Sequence, residues 1–263
     1  MLRTMDEHDH EYRGLKAATW DLFRGDTSHW GDRAAFRAII DRHGQPALDV
    51  GCATGRLLLD YLAEGIDIDG VDLSPEMLDR CRARAATRGL TPTLYQQAME
   101  RLDLPRKYGT ILVPSSSFQL LTDAEQARAA MRRFHDHLLP GGALAMPFMT
   151  LWREGEPQEK GWPAPRERIR PEDGAVVRHW ERVWYDPAAQ LEHTEDRYEV
   201  VRDGATLASE TIRRSPATRW YTHEAVLALY RAAGFMDVRL TREWSGEPAA
   251  PDDPIVTAVG TRP

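Results

Sequence analysis

Apolar residues recur along this chain in two different periods. Between residues 47 and 149, short apolar runs alternate with segments whose apolar residues return every three or four positions, which predicts strands followed by amphipathic helices. Strands are expected at 47–50, 68–73, 93–96, 110–113 and 143–149, and helices at 55–63, 75–87 and 123–138. The punctuation agrees with this division. Ser74 and Pro75 open the second helix, Gly89 stops it, Thr122 stands as cap of the third, and Pro140-Gly141-Gly142 turns into the fifth strand. Alternating units of this kind build a parallel, doubly wound sheet. Ahead of them, residues 12–40 read as helical segments broken near 25–31, with 33–41 as the helix before the first strand.

Past residue 149 the pattern changes. Residues 151–171 are rich in Pro, Glu, Gly and Arg and read as a long loop. Residues 175–185 then alternate with a period of two: Val177, His179, Glu181, Val183 and Tyr185 share one face, and Val176, Arg178, Trp180, Arg182 and Trp184 the other. Further strands are expected at 191–201 and 206–214, joined by an Asp203-Gly204 hairpin turn. Residues 175–214 thus form an antiparallel β-meander inserted after the fifth strand, suited to cover a cleft or to pair with another subunit as a homodimer. A helix at 223–233, capped by Thr222 and stopped by Gly234, and strands at 235–243 and 255–260 close the chain. The expected organisation is 1–150 as lid helices and cofactor half, 151–217 as insert, and 218–263 as completion of the core.

The stretch around which the first half is organised is Asp49-Val50-Gly51-Cys52-Ala53-Thr54-Gly55. Two glycines let the backbone turn sharply and admit a ligand with no Cβ in the way. The turn carries that ligand from the end of a strand to the start of a helix, where N–H groups point outward. Asp72 ends the second strand, and an acid about 20 residues beyond a glycine turn suits a ribose diol. The middle glycine of the dinucleotide fingerprint Gly-x-Gly-x-x-Gly is absent, which disfavours an NAD-dependent oxidoreductase.

The stretch resembles motif I of the class I S-adenosylmethionine-dependent methyltransferases, acid-x-Gly-x-Gly-x-Gly. Asp49, Gly51 and Gly55 match, Ala53 replaces the middle glycine, and Asp72 matches that family's ribose-binding acid. The resemblance implies a seven-stranded Rossmann-like sheet and S-adenosyl-L-methionine as cofactor. It also implies a cofactor surface made by Trp20, Asp49, Gly51, Cys52, Ala53, Gly55, Asp72, Leu73, Met77, Ala98, Met99, Pro114 and Ser115. Trp20-Asp21 resembles the family's lid segment. Ala98 stands where the family commonly has an adenine-binding aspartate, leaving Met99 to pack on the ring. The 221–235 stretch resembles the family's helix, Ala-Gly-Phe, strand ending.

Composition narrows the partners. The 263 residues are 42% hydrophobic and carry a net charge of −7, which suits one large domain with an insertion and disfavours a broad nucleic-acid surface. Arg80 to Arg88 alternates with alanine as a solvated helix face. Two cysteines, Cys52 and Cys81, form no paired framework or metal spacing, so the expected setting is reducing and cytoplasmic. No apolar run reaches membrane length. His8 and His10 read as a polar terminus rather than a metal site.

The chemistry expected is in-line methyl transfer to a small-molecule amine or hydroxyl, a natural-product or sugar intermediate. The protein's part is to hold nucleophile and methyl about 3 Å apart. Trp30, Ser116, Phe118 and Gln119 should line the acceptor space. Neither Asn/Asp-Pro-Pro-Tyr nor Pro-Cys follows the fourth strand, and Pro147-Phe148-Met149 offers no carboxylate, so no metal is expected. An amine needs only to arrive unprotonated, whereas a hydroxyl needs a base. Base candidates are His179, His193, Tyr185, Tyr198, Tyr221 and His223; His179 and His193, with Tyr221, are the favoured ones. The remaining alternative is a non-catalytic cofactor-binding subunit.

Overall fold

A computed structural model describes residues 12–162 and 164–263. His8 and His10 lie outside the described residues. The chain folds around a seven-stranded mixed sheet. Its strands are β1 (Ala47–Val50), β2 (Ile68–Asp72), β3 (Thr93–Gln96), β4 (Tyr108–Leu112), β5 (Leu138–Met149), β11 (Met236–Arg242) and β12 (Ile255–Thr261). Their spatial order is β11-β12-β5-β4-β1-β2-β3. β1 pairs in parallel with both β2 and β4, β4 with β5, and β12 alone runs antiparallel between β5 and β11.

Both faces of this sheet are covered, so the central strands β1 and β4 are buried along their whole length, while the edge strands β3 and β11 are partly exposed. On one face, α2 (Asp32–His43), α3 (Leu58–Ala63) and α4 (Pro75–Thr87) bury Phe36, Ile40, Leu58, Leu59, Leu78 and Cys81. On the other, α5 (Ala124–His137) and α6 (His223–Ala232) bury Ala127, Met131, Phe134, Val226 and Tyr230. Ser74 caps α4 by accepting from Met77 N–H, and Thr222 caps α6 by accepting from Ala225 N–H. The cap of α5 is Asp123, not Thr122: its Oδ1 accepts from Glu125 and Gln126 N–H, both at 2.9 Å.

The insert is a second, antiparallel sheet made from β6 (Glu159–Lys160), β7 (Arg166–Ile169), β8 (Val176–Asp186), β9 (Leu191–Arg202) and β10 (Ala205–Arg219). β6 and β7 fall in the stretch expected to be loop. Their sequence is polar and exposed, and only pairing with β8 makes them strands. β10 also runs on to Arg219, past the expected end at 214, through a register shift between Arg214 and Thr218.

One face of this sheet is buried against helix α1 (Gly14–Arg24), through Ala175, Val177 and Val200 on the sheet and Leu15, Leu22 and Phe23 on the helix. Further along, the same face meets Trp220, Leu151 and Trp152 through Val183 and Tyr185. α1 therefore lies between the two sheets. Its sheet-facing side is tied by Lys16 Nζ to Asp196 Oδ2 at 2.8 Å, and its first turn by Leu15 N–H to Glu210 Oε2 at 2.5 Å. Among the described residues no helix is long and apolar enough to cross a membrane, and no three His, Cys, Asp or Glu side chains gather as a metal site.

Candidate cofactor and acceptor site

The carboxyl ends of β1, β2 and β4 meet at one cleft. β1 ends in a turn held by Gly51 N–H and Cys52 N–H, which both donate to Val71 O, and by Gly55 N–H to Cys52 O at 2.8 Å. Gly51 and Gly55 sit at φ +71° and +80°, in the left-handed region. A Cβ on Gly51 would come within 2.8 Å of Ser117 Oγ, and one on Gly55 within 2.6 Å of Cys81 Sγ. Ala53 holds φ +49° in the same turn, so an alanine occupies a conformation that glycine would take more easily. Its N–H donates to Asp72 Oδ2 at 2.9 Å, while Ser74 N–H donates to Asp72 Oδ1 at 2.8 Å. The acid of β2 is thereby aimed at the glycine turn.

Asp49, on β1, is 2% exposed, and its Oδ1 is buried without a hydrogen-bond partner. Burial pushes its carboxyl up to about 7, opposed mainly by the nearby Arg56 cation. Helix α1 closes the cleft from above. Asp21 Oδ1 accepts from Thr54 Oγ1 at 2.7 Å and from Arg84 Nη1 at 3.2 Å, pinning the helix to the glycine turn. Arg24 Nη2 donates to Ser115 Oγ at 2.9 Å, reaching the end of β4. Trp30 lies between two guanidinium groups, 4.8 Å from that of Arg24 and 4.9 Å from that of Arg56. Trp20 lies 5.1 Å from the Arg24 guanidinium. Burial and the neighbouring Arg56 lower the Arg24 guanidinium to about 10. A cavity of about 340 Å³ opens among Asp21, Arg24, Thr27, Arg56 and Arg84.

The expected cofactor residues divide into two groups. Asp49, Gly51, Ala53, Gly55 and Asp72 converge, with Trp20 and Ser115 brought to them by α1 and Arg24. Leu73 is 39% exposed at the end of β2, and Met99 is half-buried beyond β3 in a short 3-10 turn that follows Ala98. Cys52 and Met77 instead belong to the core: both are buried, and burial drives the Cys52 thiol far above its ordinary value. Pro114 is also buried, behind Ser115 and Ser116, which both hold φ +54°. Such backbone in non-glycine residues is costly and concentrates at binding sites. Arg24 belongs to no motif in the sequence; only the docking of α1 reveals it.

The expected acceptor residues separate too. Ser116 faces the cleft edge, its Oγ 3.5 Å from Met149 Sδ. Phe118 is fully buried between Phe134, Phe148 and Tyr221, and Gln119 is fully buried as a brace. The Gln119 amide donates to Met149 O and Arg219 O and accepts from Met149 N–H, joining β5 to β10. These two correct the expectation that they line the acceptor space. His193 is likewise displaced. Strand alternation puts it on the outer face, stacked on Trp184 at 5.4 Å and bonded to Ser215 Oγ at 2.8 Å. Tyr221 is packed against Phe148, and burial pushes its phenol up to about 12, which keeps the proton on at neutral pH. Tyr221 and His223 border a separate cavity of about 730 Å³ with Trp152, Trp220 and Arg231, on the β11 side of the sheet. His179 is on the inner face, its Nε2 2.7 Å from Asp196 Oδ1 and its ring stacked on Tyr198 at 4.4 Å.

Residues 47–142, from β1 to the start of β5, match the family described as methyltransferase domain. Over that stretch the chain is similar to methyltransferase domains, and its sheet has the strand order β11-β12-β5-β4-β1-β2-β3. Outside this domain the likeness in sequence thins. A Streptomyces venezuelae dTDP-3-amino-3,4,6-trideoxy-alpha-D-glucopyranose N,N-dimethyltransferase is 34% identical over 115 residues, 44% of this chain and 46% of that protein. The chain thus spans about half the length of the curated relatives it matches. In three dimensions the likeness is longer. The sugar N-methyltransferase KedS8 from Streptoalloteichus superposes with a TM-score of 0.71 at 20% identity, covering 100% of this chain and 98% of that one. The S-adenosylmethionine-bound amino pentose methyltransferase CalS10 from Micromonospora echinaspora gives 0.67 at 21%, covering 98% and 100%. At such identities the shared feature is the fold, over almost the whole of this chain.

Proposed function

We propose that the protein is an S-adenosylmethionine-dependent methyltransferase acting on a small molecule, an amino sugar or a related natural-product intermediate. The observation that carries this reading is the cradle itself. Two left-handed glycines, an Asp72 aimed at their turn and a buried, partnerless Asp49 Oδ1 converge under a lid helix that brings Arg24. These groups fit the cofactor. A carboxylate on β2 suits a ribose diol, Asp49 an ammonium group and Arg24 a carboxylate. Met99 and Leu73 provide an apolar wall for a flat ring. When bound, S-adenosylmethionine supplies an electrophilic methyl group on a positive sulfur.

The chain's own contribution is then to bind, orient and exclude water. α1 closes over the cradle through Asp21, Thr54 and Arg84, and its Arg24 reaches Ser115. The acceptor class follows the named relatives, which act on sugar amines. Calorimetric titration with S-adenosylmethionine, S-adenosylhomocysteine and NAD tests the reading. Micromolar binding of the first two is expected, with Asp72→Ala weakening it by about 100-fold, equivalent to about 2.7 kcal/mol for two lost charge-assisted hydrogen bonds. Binding of NAD alone would overturn it.

A further inference from the structure

The inner face of the second sheet holds a polar group that the cofactor cradle leaves unused. In cross-strand register, His179 faces Tyr198, Glu181 faces Asp196 and Val183 faces Thr194. Such opposed side chains start about 4.5–5.5 Å apart at Cβ. His179 and Thr194 are each 8% exposed and Asp196 3%. Two polar atoms here are buried with no hydrogen-bond partner, His179 Nδ1 and Thr194 Oγ1. Buried polar atoms are rarely left unpaired, so two on one face mark a place built for a ligand.

The state of His179 follows from its neighbours. Burial opposes the Asp196 charge, but the hydrogen bond from His179 and the Lys16 cation hold its carboxyl below the ordinary carboxylate range. An ionised Asp196 can only accept, so His179 Nε2 carries a proton, and in the neutral ring the lone pair is then on Nδ1. Glu181 differs from the rest of its face. It is exposed, whereas His179 and Val183 on either side are buried. The face is covered by Leu22 and Phe23 toward one end and by Leu151, Trp152 and Trp220 toward the other, and Glu181 stands where that cover parts. Its carboxylate makes no hydrogen bond or ion pair with the described residues.

We infer that this opening receives the methyl acceptor as an amine: Glu181 binds its ammonium form and His179 Nδ1 removes a proton. The inference rests on the methyltransferase reading and names the acceptor's reacting group. Two opposed carboxylates repel an acid or a phosphate, and an ammonium gains a charge pair with Glu181 where a hydroxyl gains only a hydrogen bond. A simple alkylamine is mostly protonated near neutral pH and then has no lone pair to offer. In the transfer, one N–H bond breaks and its electron pair stays on the amine nitrogen. A bond forms between that proton and Nδ1, and the imidazolium charge is compensated by Asp196. Thr194 Oγ1 is placed to accept a second N–H. The freed lone pair is what an in-line attack on a methyl group requires.

The experiment starts from the complex with S-adenosylhomocysteine, whose formation is checked first by calorimetry. Saturation-transfer NMR then compares benzylamine with benzyl alcohol, butylamine with butanol, and methyl glucosaminide with methyl glucoside. Each amine should bind at least tenfold tighter than its alcohol, and Glu181→Gln should abolish that preference while leaving S-adenosylhomocysteine binding unchanged. Nitrogen NMR of labelled histidine should show His179 as the Nε2–H tautomer, with its Nδ1 resonance shifting when amine is added. Equal binding of amine and alcohol, binding of neither, a preference that survives Glu181→Gln, or an Nδ1–H tautomer would each overturn the inference. If S-adenosylhomocysteine itself fails to bind, it is the methyltransferase reading that falls.

Discussion

Asp49 shows how one residue can be set against stability in favour of binding. Its carboxyl is buried on β1 with one oxygen unpaired and is raised to about 7. The unfolded chain releases that proton near the ordinary aspartate value of about 3.9. Between these values the native state holds a proton that the unfolded state has lost, so this group makes the protein less stable as pH rises from about 4 to 7. Asp49→Asn removes the penalty, and asparagine can still accept at its amide oxygen. The free variant should therefore melt higher than the parent at pH 8, by about 2–4 °C for each kcal/mol recovered, with the difference vanishing toward pH 4. Its affinity for S-adenosylmethionine should fall by about tenfold. Scanning calorimetry at several pH values tests this, and a difference independent of pH would refute it. Asp49, Gly51, Gly55 and Asp72 were legible in the sequence because their geometry is local to two strand ends. Arg24 and Glu181 were not, because each acquires meaning only when α1 and the second sheet close over those ends.

Among the elements, α1 has little support of its own. It is 11 residues long, has no side-chain cap at its own Arg13 and would be marginal alone. Glu210, on β10, takes the place of the missing cap. Its carboxylate accepts from Leu15 N–H, and a negative charge at a helix N-terminus is favourable. Glu210→Ala should cost α1 about 1 kcal/mol, seen as about fivefold faster amide exchange in residues 15–24 with little change in β1 or β4. Equal acceleration across the core would show instead that α1 has no separate stability. The same element explains what patterning could and could not reveal. The alternation of residues 175–185 correctly put Val177, His179, Glu181, Val183 and Tyr185 on one face, but which face is inside depends on where α1 docks. His193 looked equivalent to His179 until the register of β9 placed it outside. β6 and β7 carry no apolar period and exist because β8 offers an edge.

Across the molecule, the two sheets are joined by the Gln119 brace between β5 and β10 and by helix α1. On its cleft side α1 holds the glycine turn by Asp21 and Ser115 by Arg24; on its other side Lys16 holds Asp196. A ligand gripped by Arg24 would restrain α1, and α1 in turn would restrain the strands that carry Glu181, Asp196 and His179. Cofactor and acceptor would then be linked by a coupling free energy, with the cofactor ordering the acceptor's surface before it is used. Hydrogen exchange tests this directly. Saturating S-adenosylhomocysteine should slow exchange in α1 and also in the central parts of β8 and β9, which the cofactor cradle does not include. In Asp196→Asn, the weakened link to Lys16 should leave the protection of α1 and the cradle in place and remove most of that in β8 and β9. If protection in the second sheet is absent from the parent protein, or survives the substitution undiminished, then α1 does not transmit occupancy between the sheets, and the insert serves as a fixed cover.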